Sequence, residues 1–128
     1  MRILVLDDNE LRHEMMGKKL RDRGNEVVQA WNYAEAVQAL DGRAFDTLYL
    51  DHDLDDFTLM MYGSLERTGV DVVLHLTRCI PKEKFPGLVI VHSWNIDGAH
   101  RMQCLLRSAG ILVRLEPFKV DAWWGEEV

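Results

Sequence analysis

The sequence predicts an α/β domain in which a parallel sheet is wrapped by helices. Three observations carry that prediction. Short apolar runs, Ile3-Leu4-Val5-Leu6, Thr47-Leu48-Tyr49-Leu50 and Leu88-Val89-Ile90-Val91, read as strands covered on both faces, as parallel strands are. Between them stand segments whose apolar residues recur at helical spacing. The two patterns alternate along the chain, which calls for right-handed crossovers between parallel strands. The size agrees: 128 residues, 48% hydrophobic and 28% charged, suit one globular domain over 1–128.

Each element follows from its local pattern. The first strand, residues 3–6, ends at Asp7 and Asp8. Residues 10–23 carry Leu11, Met15, Met16 and Leu20 at helical spacing, and Gly24 stops that helix. A short second strand covers 26–29. Ala34, Val37, Ala39 and Leu40 mark a second helix that Gly42 ends. The third strand runs into Asp51-His52-Asp53. Residues 54–68 read as a loop. Thr68 to Asp71 has the form of a capping box, opening a third helix with Val70, Val73, Leu74, Leu76 and Thr77. Pro81 and Pro86 bracket a linker. The fourth strand is followed by His92-Ser93-Trp94-Asn95. Asp97 is placed to cap a fourth helix that buries Met102, Leu105 and Leu106 and stops at Gly110. A fifth strand spans 111–115, and Pro117 stops it. The aromatic tail, 119–128, holds Trp123 and Trp124. Five parallel strands in so small a domain take the flavodoxin-like order 2-1-3-4-5.

Composition excludes several classes. A net charge of −6 and a pI of about 5.3 argue against a protein that coats duplex nucleic acid, which needs a basic surface. No apolar run approaches the ~20 residues of a membrane span. The apolar start meets Asp7, Asp8 and Glu10 at once, unlike a secretory signal. Cys79 and Cys104 form no CxxC and suit a reducing cytosol, so the expected location is cytoplasmic.

In open α/β sheets, ligands bind beyond the carboxyl ends of the strands. Strands 1, 3 and 4 are neighbours in the expected order, at ~4.8 Å spacing. Their ends bring together Asp7, Asp8, Asp51 and Asp53, the imidazoles of His52 and His92, and Ser93 and Asn95, with the His13 imidazole just above that edge in the first turns of the first helix. Arg12 and Arg101 stand on the flanking helices. Four clustered carboxylates repel one another and call for a cation. Their hard oxygens favour Mg²⁺ or Mn²⁺, and imidazole ligation would shift the preference toward Zn²⁺. Arg12 and Arg101 suit phosphate oxygens, and the histidines suit acid–base work near neutral pH. Taken singly, Asp8 and Asp97 read as turn formers or caps. His75 and His100 read as surface residues, and the methionines of the first helix as core.

These residues carry a family resemblance. Ile3-Leu4-Val5-Leu6-Asp7-Asp8 resembles the opening of a bacterial response-regulator receiver domain. That likeness implies Mg²⁺ at the acidic pair and phosphorylation at Asp51. The chain departs from a signalling receiver where Glu116 stands in place of the lysine before Pro117-Phe118, and where His92 precedes Ser93. The whole set is more similar to a divergent branch, the cyclic-phosphate processing receiver domain. Four motifs carry it in order: Asp7-Asp8 with Arg12-His13, Asp51-His52-Asp53-Leu54, Thr68-Gly69-Val70-Asp71-Val72, and His92-Ser93-Trp94-Asn95 with Gly98-Ala99 and Arg101-Met102. Val70 stands where that pattern has tyrosine.

The resemblance implies hydrolysis of a cyclic phosphate or nucleotide phosphodiester. Asp7, Asp8, Asp51 and Asp53 would hold the metal. His13, His52, His92, Asp51 and Ser93 would form the catalytic set, and Arg12, Asn95 and Arg101 would bind substrate. The alternative is a catalytically silent signalling or interaction module, phosphorylated on Asp51. A receiver's fifth helix has no room in the ten or so residues after Pro117, so it is expected to be shortened or absent. The tail or a second copy in a homodimer would then cover that sheet face.

Overall fold

The computed structural model describes residues 1–51, 68–93 and 95–116. His52, Asp53, residues 54–67 of the expected loop, Trp94, and the segment from Pro117 onward with its two tryptophans lie outside the described residues. The elements are β1 (Arg2–Leu6), α1 (Glu10–Asp22), β2 (Glu26–Ala30), α2 (Tyr33–Gly42), β3 (Thr47–Leu50), α3 (Gly69–Cys79), a 3₁₀ turn (Lys82–Lys84), β4 (Leu88–Val91), α4 (Ile96–Ser108) and β5 (Val113–Leu115). The strands form one parallel sheet in the order β2-β1-β3-β4-β5, as the sequence pattern predicts.

Alternation along each strand divides the core in two. Leu4, Leu6, Leu48, Leu50, Val89 and Val91 face one side, where Leu40 of α2, Val73 and Leu76 of α3, and Met102 and Leu106 of α4 cover them. Ile3, Val5, Tyr49 and Ile90 face the other side with Met16 and Leu20 of α1. Burying each large aliphatic side chain contributes ~1.5–3 kcal/mol before conformational entropy is subtracted. No helix among the described residues is long and apolar enough to cross a membrane.

Several local expectations hold. Thr68 and Asp71 form the capping box of α3. Gly24 (φ 87°) and Gly110 (φ 82°) take the left-handed backbone that ends α1 and α4. Gly42 does end α2, as its last residue, and the chain leaves the helix as Arg43 becomes extended. Met16 is buried and Met15 partly so, and His100 is exposed.

Others need correction. The N-cap of α4 is Asn95, whose Oδ1 accepts the Gly98 N–H at 2.9 Å. Asp97 lies inside the first turn, where its charge still favours the positive end of the helix dipole. Ile111 still donates its N–H to the Leu106 carbonyl at the helix end (3.0 Å), so paired β5 starts only at Val113. Leu11 is 60% exposed, outside the buried stripe of α1. His75 is half-buried, with Nε2 2.7 Å from Asp41 Oδ1, and it ties α3 to α2.

Candidate active site

The site is set by sheet register. The ladder continues one residue past each strand: Asp7 N–H donates to Ala30 O (3.1 Å), Asp51 N–H to Leu6 O (3.1 Å), His92 N–H to Leu50 O (3.0 Å) and Glu116 N–H to Val91 O (2.9 Å). Asp7, Asp51 and His92 therefore stand side by side at the carboxyl edge. Each follows a residue that faces the three-helix side (Leu6, Leu50 and Val91). By alternation all three side chains project toward the side that carries α1. All three are buried.

Helix α1 supplies the counter-charge. Asn9 caps it, accepting the Arg12 N–H on Oδ1 at 2.9 Å, and this places Arg12 one turn in, over the strand ends. Arg12 grips Asp7 with a two-pronged contact, Nε to Oδ2 at 2.7 Å and Nη2 to Oδ1 at 2.8 Å. The same Nη2 lies 3.4 Å from Asp51 Oδ2 and 3.5 Å from Asp8 Oδ1. The cation that the clustered acids call for is thus supplied in part by the chain itself.

Asp7 also receives the Asn9 N–H on Oδ1 (2.8 Å) and His92 Nε2 on Oδ2 (2.8 Å). Burial by itself would raise its carboxyl pKa. The hydrogen bonds from His92, Arg12 and the Asn9 N–H outweigh burial and hold it well below the usual carboxylate range. For His92, burial dominates and lowers the imidazole pKa despite the opposing bond to Asp7. The state that satisfies both is an ionised Asp7 accepting Nε2–H from a neutral His92. Arg12 is held charged, chiefly by its hydrogen bond to Asp7.

His13 is buried, with Nε2 2.7 Å from the Asp7 carbonyl and 3.0 Å from that of Ala30. Both partners are acceptors, so Nε2 carries the hydrogen. The ring stacks on Trp31 at 4.0 Å between centroids, and Nδ1 has no hydrogen-bond partner among the described residues. His13 thereby locks α1 to the ends of β1 and β2. Gln29 Nε2 donates to the His13 carbonyl across the same seam (3.0 Å). Gly17 leaves room there, since a Cβ would come within 2.9 Å of that amide nitrogen.

Ser93 is buried and its Oγ accepts the Asn95 N–H at 3.0 Å, so both residues shape the turn into α4. Arg101 is exposed on α4 and makes no bond to Asp7, Asp8 or Asp51 among the described residues. Glu116 is half-buried, beyond the end of β5. Sequence reasoning missed Asn9 and Trp31. An asparagine three places before Arg12 was a readable cap signal, whereas nothing local marked Trp31 as a partner of His13.

The donor set suits a divalent cation. Ligand atoms of Asp7, Asp51 and His92 lie within 4.8 Å of one another. Carboxylate oxygens favour Mg²⁺ or Mn²⁺, and the imidazole nitrogen extends the range to Zn²⁺.

Comparison with known proteins shows the family and the fold. The sequence matches the cyclic-phosphate processing receiver domain over residues 2–108. The chain belongs to that family. Members share the receiver fold, and solved receivers superpose on this one. A CheY-like receiver domain from Methylobacillus flagellatus is 21% identical with a TM-score of 0.69, over 94% of this chain and 89% of its own. TrrA from Thermotoga maritima, solved in complex with Mg²⁺-BeF, is 20% identical with a TM-score of 0.66, over 94% and 88%. A response regulator from Burkholderia pseudomallei, solved with a phosphorylated aspartic acid, calcium ion and citrate, is 22% identical with a TM-score of 0.64, over 94% and 62%. At these identities the likeness shows the fold alone. Among curated proteins none matches.

The coupled pair gives this receiver-fold domain a defined acid response in metal-free solution. His92 titrates lower in the folded chain than its ordinary 6.5, and Asp7 lower than 3.8. Below each ordinary value the unfolded chain binds a proton that the folded chain refuses. Stability is therefore fully present above pH 6.5 and falls on acidification, first through His92 and then, below 3.8, through Asp7. Each group tilts stability by up to ~1.4 kcal/mol per pH unit inside its window. Thermal melts in chelator from pH 8 to 4 should show the first fall, and His92→Gln should remove it. An equal slope in the variant would refute the assignment.

Proposed function

We propose that this domain hydrolyses a cyclic phosphate ester, with cation assistance, at the carboxyl ends of β1, β3 and β4. The observation that carries the reading is the buried Asp7–His92 pair under Arg12, which joins an oriented imidazole to a two-pronged cation at one sheet edge. Family membership supports the substrate class.

A divalent cation at Asp51, Asp7 and Asp8 would polarise a phosphoryl oxygen and acidify a water. Asp7 holds the His92 Nε2–H, which leaves the lone pair of the neutral ring on Nδ1 as the proton acceptor. His92 then takes the proton of the attacking water as the new P–O bond forms. One ring P–O bond breaks, and the leaving alkoxide takes up a proton to give a phosphomonoester. His52 is the candidate donor of that proton, since the Nε2–H of His13 is committed to the carbonyls of Asp7 and Ala30. Arg12 stabilises charge on the non-bridging oxygens. Ser93 and Asn95, at the mouth of α4, orient the ester, and Arg101 meets its outer part. Asp53 adds a further carboxylate for the cation.

A second reading has its own support. Asp51 directly follows β3, beside Arg12, in a fold shared with a response regulator solved with a phosphorylated aspartic acid. On that reading the domain accepts a phosphoryl group on Asp51.

One experiment separates the two. The protein is incubated with a panel of cyclic nucleotides and 2′,3′-cyclic phosphate ends in Mg²⁺, Mn²⁺ or Zn²⁺ and followed by phosphorus NMR. A parallel sample receives acetyl phosphate. Metal-dependent ring opening is the expected result. A phosphoryl adduct on the protein with no turnover would replace hydrolysis with signalling.

A further inference from the structure

We infer that Arg12 is the resident counter-cation of this site, and that a divalent cation binds by displacing it from Asp7. The inference deepens the cation-assisted reading above and rests on it. A carboxylate offers about four acceptor places, and those of Asp7 are filled. Oδ1 takes the Asn9 N–H and Arg12 Nη2, and Oδ2 takes Arg12 Nε and His92 Nε2. A cation can join Asp7 only if a donor leaves. The Asn9 N–H is main chain at a helix cap, and the His92 side chain is fully buried. Arg12 stands on a flexible stem with its side chain 25% exposed, so it is the donor that can move.

Position and charge point the same way. Arg12 Nη2 lies within 3.5 Å of an oxygen of each of Asp7, Asp8 and Asp51. That is the space a cation shared by these carboxylates must occupy, and two cations there would repel. Arg12 offsets one of the three negative charges, so exchanging it for a divalent ion neutralises the described cluster further. The displaced guanidinium stays tethered beside the ion, with its planar fork turned to an incoming phosphate. Cation and phosphate ester should then bind with positive, reciprocal coupling.

The test is Mn²⁺ binding, read from loss of the free-ion electron paramagnetic resonance signal, in wild type, Arg12→Gln and Arg12→Lys. Melts in chelator establish that each variant is folded. Arg12→Gln should bind Mn²⁺ at least ~10-fold more tightly than wild type, with Arg12→Lys between them. Should Arg12→Gln fail to fold, Arg12→Lys carries the comparison and must still exceed wild type. Equal or weaker binding in the folded variants overturns the inference, and so does absence of Mn²⁺ binding in all three proteins. Repeating the titration with 2′,3′-cyclic AMP should tighten Mn²⁺ binding in wild type but not in Arg12→Gln. Tighter binding in the variants with no effect of the cyclic nucleotide supports the displacement and counts against the cyclic-phosphate reading alone.

Discussion

His92→Ala is expected to slow cyclic-phosphate opening by ~10²–10⁴-fold, the range a positioned general base contributes. The imidazole stands at the end of β4 with its Nε2–H held by Asp7 at 2.8 Å, and its partner is an ionised carboxylate rather than a main-chain group. Removing the ring removes the proton acceptor while Asp7 keeps Arg12 and the Asn9 N–H. The fold should therefore survive, and a melt in chelator checks that it does. Asp51→Ala is expected to fall at least as far, through loss of the cation rather than of the base. The two variants then part in their metal dependence. Extra Mn²⁺ should partly restore Asp51→Ala and leave His92→Ala unchanged. Turnover at the wild-type rate in folded His92→Ala would remove the residue from the mechanism.

The second large effect is on stability. Asp7→Ala should lower the free energy of unfolding by ~3–5 kcal/mol, the cost of breaking a buried charged pair. Asp7 is fully buried and accepts four hydrogen bonds. Its loss leaves the Arg12 charge over Asp51 and Asp8 without its main partner and strands the His92 Nε2–H in a closed space. Asp7→Asn keeps the shape but cannot accept from all these donors, so it should fall between wild type and alanine. Urea midpoints in chelator measure the series. A loss below ~1 kcal/mol for Asp7→Ala, within reach of an ordinary surface ion pair, would show that the network is not coupled to the fold.

The alternation of runs such as 3–6 and 47–50 with helical patterns was readable because burial on both strand faces leaves a continuous apolar signature. The acids and imidazole that end those runs were readable as a cluster for the same reason. Once the strand order is known, the residue after each strand falls on the carboxyl edge. Caps were less legible. Asn95 and Asp97 are both good N-cap residues two places apart, and which of them turns the chain depends on where the β4 ladder releases it.

What the sequence by itself determined is the α/β architecture and the set of groups at the sheet edge. Only the tertiary structure decided how those groups are paired. Arg12 could have pointed to solvent, as most first-turn arginines do, yet it closes over Asp7, Asp8 and Asp51. His13 belonged by spacing with the acid–base residues, yet two main-chain carbonyls and Trp31 hold its ring. The physical reason is directional. Backbone periodicity records which face a residue occupies, whereas side-chain rotamers and ring tautomers answer to partners far along the chain, such as His92 for Asp7. Those partners meet only when the sheet brings its strand ends into register.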